Sequence, residues 1–502
     1  MPRTSPRPSM FWHEASRSAR GHVLNAIVSR HFGGYNTMRV RSMYSLDDTI
    51  AAISSPIGEG GIGIVKMSGP DVLPILRAMF VPVKGPVSDH SSWEPVSHHL
   101  YHGRILDPQT GETVDEVLVS YMKAPHTYTR QDVGEINCHG GVVPLRRVLE
   151  LTLRSGARLA SPGEMTLRAF LLGRLDLAQA EAVLDVVRAR TEAALRVAVD
   201  QLDGRLSHEI RQVRAELVRV LAYLEAAIDF SEDEIPERDI TGPLREATNT
   251  LEQLIRSADR GIIYRQGIRA AIVGRPNVGK SSLLNCLLRT SRAIVTPIPG
   301  TTRDTLEETV NLQGVPLVLV DTAGIAHSKE LVEKLGIERS RQALASADLA
   351  LLVIDAHEPV RDADREIAKL IGIKPAILVV NKTDLPVRSK IDDLLPHARM
   401  VELSALTGEG LAELEQAIVE LIFSGKVMAS DAALVTNPRH KQALQLALDH
   451  VRSAMQGDSG GSPVDLIAID ITAAVNALGE ITGETATDDL LEIIFSEFCV
   501  GK

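Results

Sequence analysis

The octet GRPNVGKS, Gly274 to Ser281, decides how the chain is read. It has the form G-x-x-x-x-G-K-[ST] and lies between the apolar run RAAIVG and an amphipathic run that begins after it. A strand, a glycine-rich turn and a helix are expected in that order. The glycines let successive backbone N–H groups wrap phosphate oxygens, and the helix N-terminus adds the positive end of its dipole. Lys280 can reach the β and γ phosphates, and Ser281 can ligate Mg²⁺. The expected phosphate site is Asn277, Val278, Gly279, Lys280, Ser281 and Ser282.

Four more stretches follow in a fixed order. PGTTRD (299–304) carries Thr302 as a second Mg²⁺ ligand, and Thr296, Pro297, Ile298, Pro299, Gly300, Thr301 and Thr302 can fold over the nucleotide. DTAG is Asp321, Thr322, Ala323 and Gly324; its acid can hold Mg²⁺ through water while Gly324 senses the γ-phosphate. NKTD is Asn381, Lys382, Thr383 and Asp384. Asp384 can accept two hydrogen bonds from guanine N1 and N2, a donor pair that adenine lacks. Ser404, Ala405 and Leu406 supply backbone to the guanine oxygen. The set resembles a translation-factor-type GTPase domain, with GTP as the nucleotide. Where Ras-like enzymes follow DTAG with a water-orienting Gln, this chain has Ile325, which can neither orient nor polarise water. Catalysis must therefore recruit another group. Glu333, in ELVEKLGIERSR, reads either as a solvated helix-surface acid or as a residue that positions water through a relay.

Outward from the octet, continuous apolar runs alternate with helical ones from 266 to 426, the pattern of a parallel sheet covered on both faces. The flanks differ. Residues 173–265 are Ala-, Leu-, Arg- and Glu-rich, with apolar residues every three or four, and residues 427–502 read as helical again. Residues 47–172 mix short β-like runs with an amphipathic helix. The expected fold is multidomain α/β and α. It comprises an N-terminal α+β domain, a helical domain built from two chain segments, and a Ras-like P-loop GTPase domain inserted into the latter. Residues 1–46 hold seven Arg and one acid, for a charge of +6 against −17 for the remainder. Such a leader is expected to be an organellar transit peptide, a poorly ordered extension, or the result of a start placed ahead of a natural one at Met43.

Composition narrows the classes. The chain has 502 residues, 44% of them apolar, and no apolar run near the ~20 residues of a membrane span. Its three cysteines have no C-x-x-C spacing, which argues against a disulfide framework or a zinc site. A net charge of −11 argues against coating nucleic acid by bulk electrostatics.

From about Asp48 to Lys502 the chain resembles the MnmE (TrmE) family of tRNA-modification GTPases. The resemblance rests on the G-domain motifs, DTIAAISSPIGEGGIGIVKMSG, INCHGG, PGEMTLRAFLLGRLDLAQAEAV, NPRH, LGEITGE and a terminal C-x-G-K. It implies a homodimer whose N-terminal domain binds 5-formyl- or 5,10-methylene-tetrahydrofolate. With an MnmG-like FAD protein, in a heterotetramer, the family adds a carboxymethylaminomethyl or aminomethyl group to carbon five of the wobble uridine of certain tRNAs. It also implies K⁺ held at Asn277, Thr296, Ile298 and Thr301, and Glu333 as the catalytic acid. The folate positions fall on Lys66, Glu135 and Arg174. At two of these the family has the other cation, Arg for Lys66 and Lys for Arg174. YTRQD departs from the usual Y-T-G-E-D at Arg130 and Gln131, which bears on the local turn. The competing reading is a ribosome-assembly GTPase that binds rRNA; such proteins typically carry a basic appendage, and none follows the G domain here.

The end of the chain, SEFCVGK, lacks the aliphatic centre and permissive last residue of a prenylation box. The apolar run up to Phe498 should dock and hold the tail. On the family reading Cys499 is a catalytic thiol beside the one-carbon carrier, and Lys502 is a folate ligand.

Overall fold

The computed structural model describes residues 46–83, 93–230, 239–291, 308–320, 333–386, 394–423 and 435–501. Residues 1–45, with the basic leader, lie outside the described residues. By their contacts the rest form two compact units. The first holds the chain up to Glu181 with Gly204–Ile255 and Arg439–Lys502; the second holds Ala182–Asp203 and Arg256–Pro438.

The first unit is built on a sheet of β1 (Ile50–Ile53), β2 (Gly60–Ser68), β3 (Phe80–Pro82), β4 (His99–Leu106), β5 (Thr113–Met122), β6 (Val133–Gly140) and β7 (Arg158–Leu159). The order is β3-β4-β5-β6-β2-β1-β7, antiparallel except where β7 runs alongside β1. Side chains alternate across a strand, so each strand serves two faces. Ala51, Val65, Met67, Val119, Ile136 and Cys138 pack on the helices Val72–Met79 and Val142–Arg154. Ile50 and Ala52 point the other way, to Ala160, Met165 and Tyr128. The helical part of this unit joins both flanking segments: Val464–Thr482 packs along Arg205–Asp229. Thr241 Oγ1 donates to Asp458 at 3.0 Å, and Arg452 pairs with Glu252 at 2.8 Å.

The second unit holds β8 (Ile268–Val273), β9 (Glu308–Leu312), β10 (Val315–Val320), β11 (Leu349–Asp355), β12 (Ala376–Asn381) and β13 (Arg399–Leu403), in the order β13-β12-β11-β8-β10-β9. All neighbours are parallel except β9 with β10. Every residue of β10, β11 and β12 is buried, as a doubly covered sheet requires. This is the Ras-like α/β domain. No described helix is long and apolar enough to cross a membrane.

Candidate functional site

The phosphate loop joins β8 to the helix Lys280–Ser291. Gly274 and Gly279 have φ of 149° and 99°, and Asn277 has φ 66°. A Cβ on Gly279 would lie 2.0 Å from Asn381 Nδ2, so the close approach of loop and NKTD segment requires glycine there. Asn381 stitches the two nucleotide-facing loops together. Its Nδ2 donates to Val278 O at 2.8 Å, and its Oδ1 accepts from Ala405 N–H at 2.9 Å. A guanine oxygen approaching Ala405 would thus meet an N–H that is already engaged. Asp384 Oδ1 accepts from Ser404 Oγ at 2.6 Å, and Ser404 is fully buried, so the carboxylate expected to read the base is held in place by the protein itself. Lys382 Nζ reaches Asp355 Oδ2 at 2.6 Å. The loop's other anchor, Arg275, was not singled out in the sequence. Its guanidinium is buried against Asp364 at 2.7 Å and Glu358 at 3.3 Å.

Lys280 Nζ donates to the carbonyls of Gly274 and Arg275, both at 2.7 Å. Burial pushes its pKa down to about 8, because the ammonium has lost water and gained no carboxylate. A bound triphosphate restores the charged form. Binding at pH 9 should therefore take up about one proton and at pH 7 almost none, so affinity falls as pH rises through 8. Calorimetry of GTP binding in buffers of different ionisation enthalpy reads this directly, and zero uptake at pH 9 would refute it.

The donor set suits a nucleotide–Mg²⁺ complex: Lys280 is half-buried, and Ser281 and Ser282 are exposed at the helix start. Thr296, Pro297, Ile298, Pro299, Gly300, Thr301, Thr302, Asp321, Thr322, Ala323 and Gly324 lie outside the described residues. Glu333 begins the helix Glu333–Ser346, and its side chain lies outside them too. Of the expected K⁺ positions only Asn277 is described, exposed on the loop.

The other expected residues gather in the first unit. Lys66 on β2 and Glu135 on β6 are register partners, and their side chains pair at 3.3 Å. Lys66 Nζ also lies 5.2 Å from the centre of the Tyr128 ring, and Arg174 Cζ lies 4.9 Å from it. Lys66 and Arg174, far apart in sequence, thus meet at one tyrosine, with Glu135 joined through Lys66; sequence reasoning passed over this tyrosine although it opens the quoted YTRQD. Arg130 takes the left-handed φ of 61°, a strain of about 1–2 kcal/mol for a non-glycine residue, and its Nη1 donates to Leu172 O at 3.0 Å. Gln131 Oε1 accepts from Arg168 at 3.0 Å, and its Nε2 donates to Leu46 O at 2.7 Å, a bond that a Glu could not make.

The tail docks on the same unit. Phe498 is buried, its ring 5.5 Å from that of Phe495. Ser54 Oγ donates to Gly501 O at 3.1 Å. Gly501 has φ 98°, and a Cβ there would sit 2.4 Å from Ile53 O, so only glycine fits. Ile53 follows Ala52, the register partner of Lys66. Cys499 is exposed, with its carbonyl 3.4 Å from Gly163 N. Lys502 lies outside the described residues.

Comparison with known proteins bears on both sites. Residues 177–499 match the model described as MnmE helical domain, and residues 49–174 match GTP-binding protein TrmE N-terminus. The chain belongs to the MnmE family of tRNA modification GTPases. A tRNA modification GTPase MnmE of Roseiflexus sp. (strain RS-1) is 52% identical over 472 residues, covering 91% of this chain and 99% of that protein. The MnmE of Chloroflexus aurantiacus is 50% identical over 461 residues, again covering 91% of this chain and all of that protein (100%). That of Desulforamulus reducens is 46% identical over 466 residues, with the same two coverages. The MnmE match thus spans both units, including the Lys66–Tyr128–Arg174 cluster and the docked tail.

Proposed function

We propose that this chain hydrolyses GTP to drive modification of the wobble uridine of certain tRNAs in the bacterial cytoplasm. It works as a homodimer with an MnmG-like FAD partner and takes its one-carbon unit from 5-formyl- or 5,10-methylene-tetrahydrofolate. The observation that carries this reading is the gathering of Lys66, Glu135 and Arg174 beside a docked C-terminal tail. A bare GTPase switch needs no such cationic corner. On this reading Lys66, Arg174 and Lys502 face the anionic end of folate, Glu135 its donor groups, and Cys499 the one-carbon chemistry. Ser281 and Thr302 hold Mg²⁺, which neutralises charge on the β and γ phosphates. Asn277, Thr296, Ile298 and Thr301 hold K⁺, supplying the charge of an arginine finger. Glu333 positions the attacking water. The open face of the first sheet supports the dimer: Ile62, Leu100 and Leu118 are 64%, 63% and 42% exposed on it.

The test is mass spectrometry of tRNA nucleosides from a strain lacking its own MnmE. It receives the full chain, a chain ending at Phe498, or Cys499→Ser. The full chain should restore the modified uridine; the truncated chain should hydrolyse GTP yet restore nothing. Full restoration by Cys499→Ser would remove the thiol from the chemistry. Restoration by none, with no folate binding by the purified chain, would overturn the reading.

A further inference from the structure

Two like charges against one aromatic ring form an unusual arrangement, and the surroundings of Tyr128 explain how it is held. The ring is backed by the apolar cluster of Ile50, Ala52, Ala160 and Met165. Its hydroxyl is within 2.9 Å of Thr166 Oγ1. Both ends of the side chain are therefore fixed. Lys66 has Glu135 as a partner, but among the described residues no carboxylate pairs with Arg174, which is exposed. A ring face attracts each cation, by about 0.5–1 kcal/mol at exposed sites, while the cations repel one another. An anion that bridged them would relieve that repulsion. Long cationic side chains lose rotamer freedom when they bind, and a ring that already holds them reduces that loss.

We propose that Tyr128 is a positioning and specificity-determining residue that presents Lys66 and Arg174 together to a dicarboxylate, the glutamate end of the folate ligand. This rests on the folate reading above. It also accounts for the exchanged cations: the ring accepts either Lys or Arg at each position, so the two substitutions leave the pair intact.

The experiment is titration calorimetry of the full chain with folinic acid and with 5-formyl-tetrahydropteroate, which lacks the glutamate. Wild type should prefer folinic acid. Tyr128→Leu should weaken folinic acid binding about tenfold and leave the pteroate almost unchanged. Tyr128→Phe, which keeps the ring face, should stay within about twofold of wild type. A double-mutant cycle guards against a misfolded Leu variant. Arg174→Gln, at an exposed position, should cost about tenfold in wild type and little in the Tyr128→Leu background. Unchanged folinic acid binding in Tyr128→Leu would overturn the inference and leave the folate reading standing, as would equal loss in Tyr128→Phe or strict additivity in the cycle. No folinic acid binding by wild type would instead overturn the folate reading, and the inference with it.

Discussion

Replacing Asp384 by Asn should move the nucleotide preference from guanine to xanthine. Guanine offers N–H donors at N1 and at the exocyclic N2, and a carboxylate accepts both. Xanthine carries a carbonyl at the second position, and an amide NH₂ donates to it. The structure makes the exchange sharp because Asp384 cannot swing aside. Ser404 Oγ holds its Oδ1 at 2.6 Å, and Ser404 is itself buried with its N–H on Glu409 O at 2.9 Å. The amide oxygen still accepts from N1–H, but the NH₂ meets the N2 donor; a lost hydrogen bond to the charged group is worth about 1.5–3 kcal/mol, so GTP should weaken by about one to two orders of magnitude. Fluorescent GTP and XTP analogues, titrated into wild type and Asp384→Asn, measure both sides of the exchange. A GTP affinity within a factor of about three of wild type would remove Asp384 from base reading.

The second large effect falls on stability. Glu181 is almost wholly buried, with Oε2 at 2.6 Å from His440 Nε2 and 2.7 Å from Arg439 Nη2; Arg439 also donates to Glu480 O at 2.9 Å. Burial alone would raise the Glu181 pKa. The charge and hydrogen bonds of His440 and Arg439 outweigh it and hold the carboxyl down at about 2, from an ordinary 4.5. The sign follows from linkage: a depressed carboxyl pKa contributes stability in full above about pH 4.5, and that contribution is lost as pH falls towards 2. Glu181→Ala should cost about 3–5 kcal/mol at neutral pH, because it leaves a half-buried guanidinium and a buried imidazole without their anion. Calorimetric scans from pH 7 to pH 3 should show the gap between wild type and Glu181→Gln closing as pH falls. A gap that stays constant would mean that the carboxylate charge contributes nothing.

This cluster gives a physical meaning to NPRH, which the sequence marks only as a family stretch. Arg439 and His440 are its last two residues, and both close on an acid some 258 positions earlier. Nothing in local spacing selects Glu181 from the other acids of the helical segments.

The GTPase domain is legible from short stretches of chain. A phosphate loop is a local object: glycines at fixed offsets, a lysine and a serine at a helix start, and apolar strands long enough to identify themselves. The same holds for the helical flanks, whose three-and-four periodicity requires a buried stripe. The proposal that Asp384 reads guanine has the same local origin, because Asp384 belongs to a short motif after a strand. It takes the folded chain to bring Lys66 Nζ and Arg174 Cζ to 5.2 Å and 4.9 Å from the Tyr128 ring, and to dock Gly501 beside β1 at Ile53. The folded chain also lets Asn381 tie the phosphate loop to Ala405. Those meetings join residues tens to hundreds of positions apart. They depend on strand register, on which face of a sheet a side chain takes, and on close backbone approach at glycines. Packing of the whole unit sets these, and no short stretch of chain carries them.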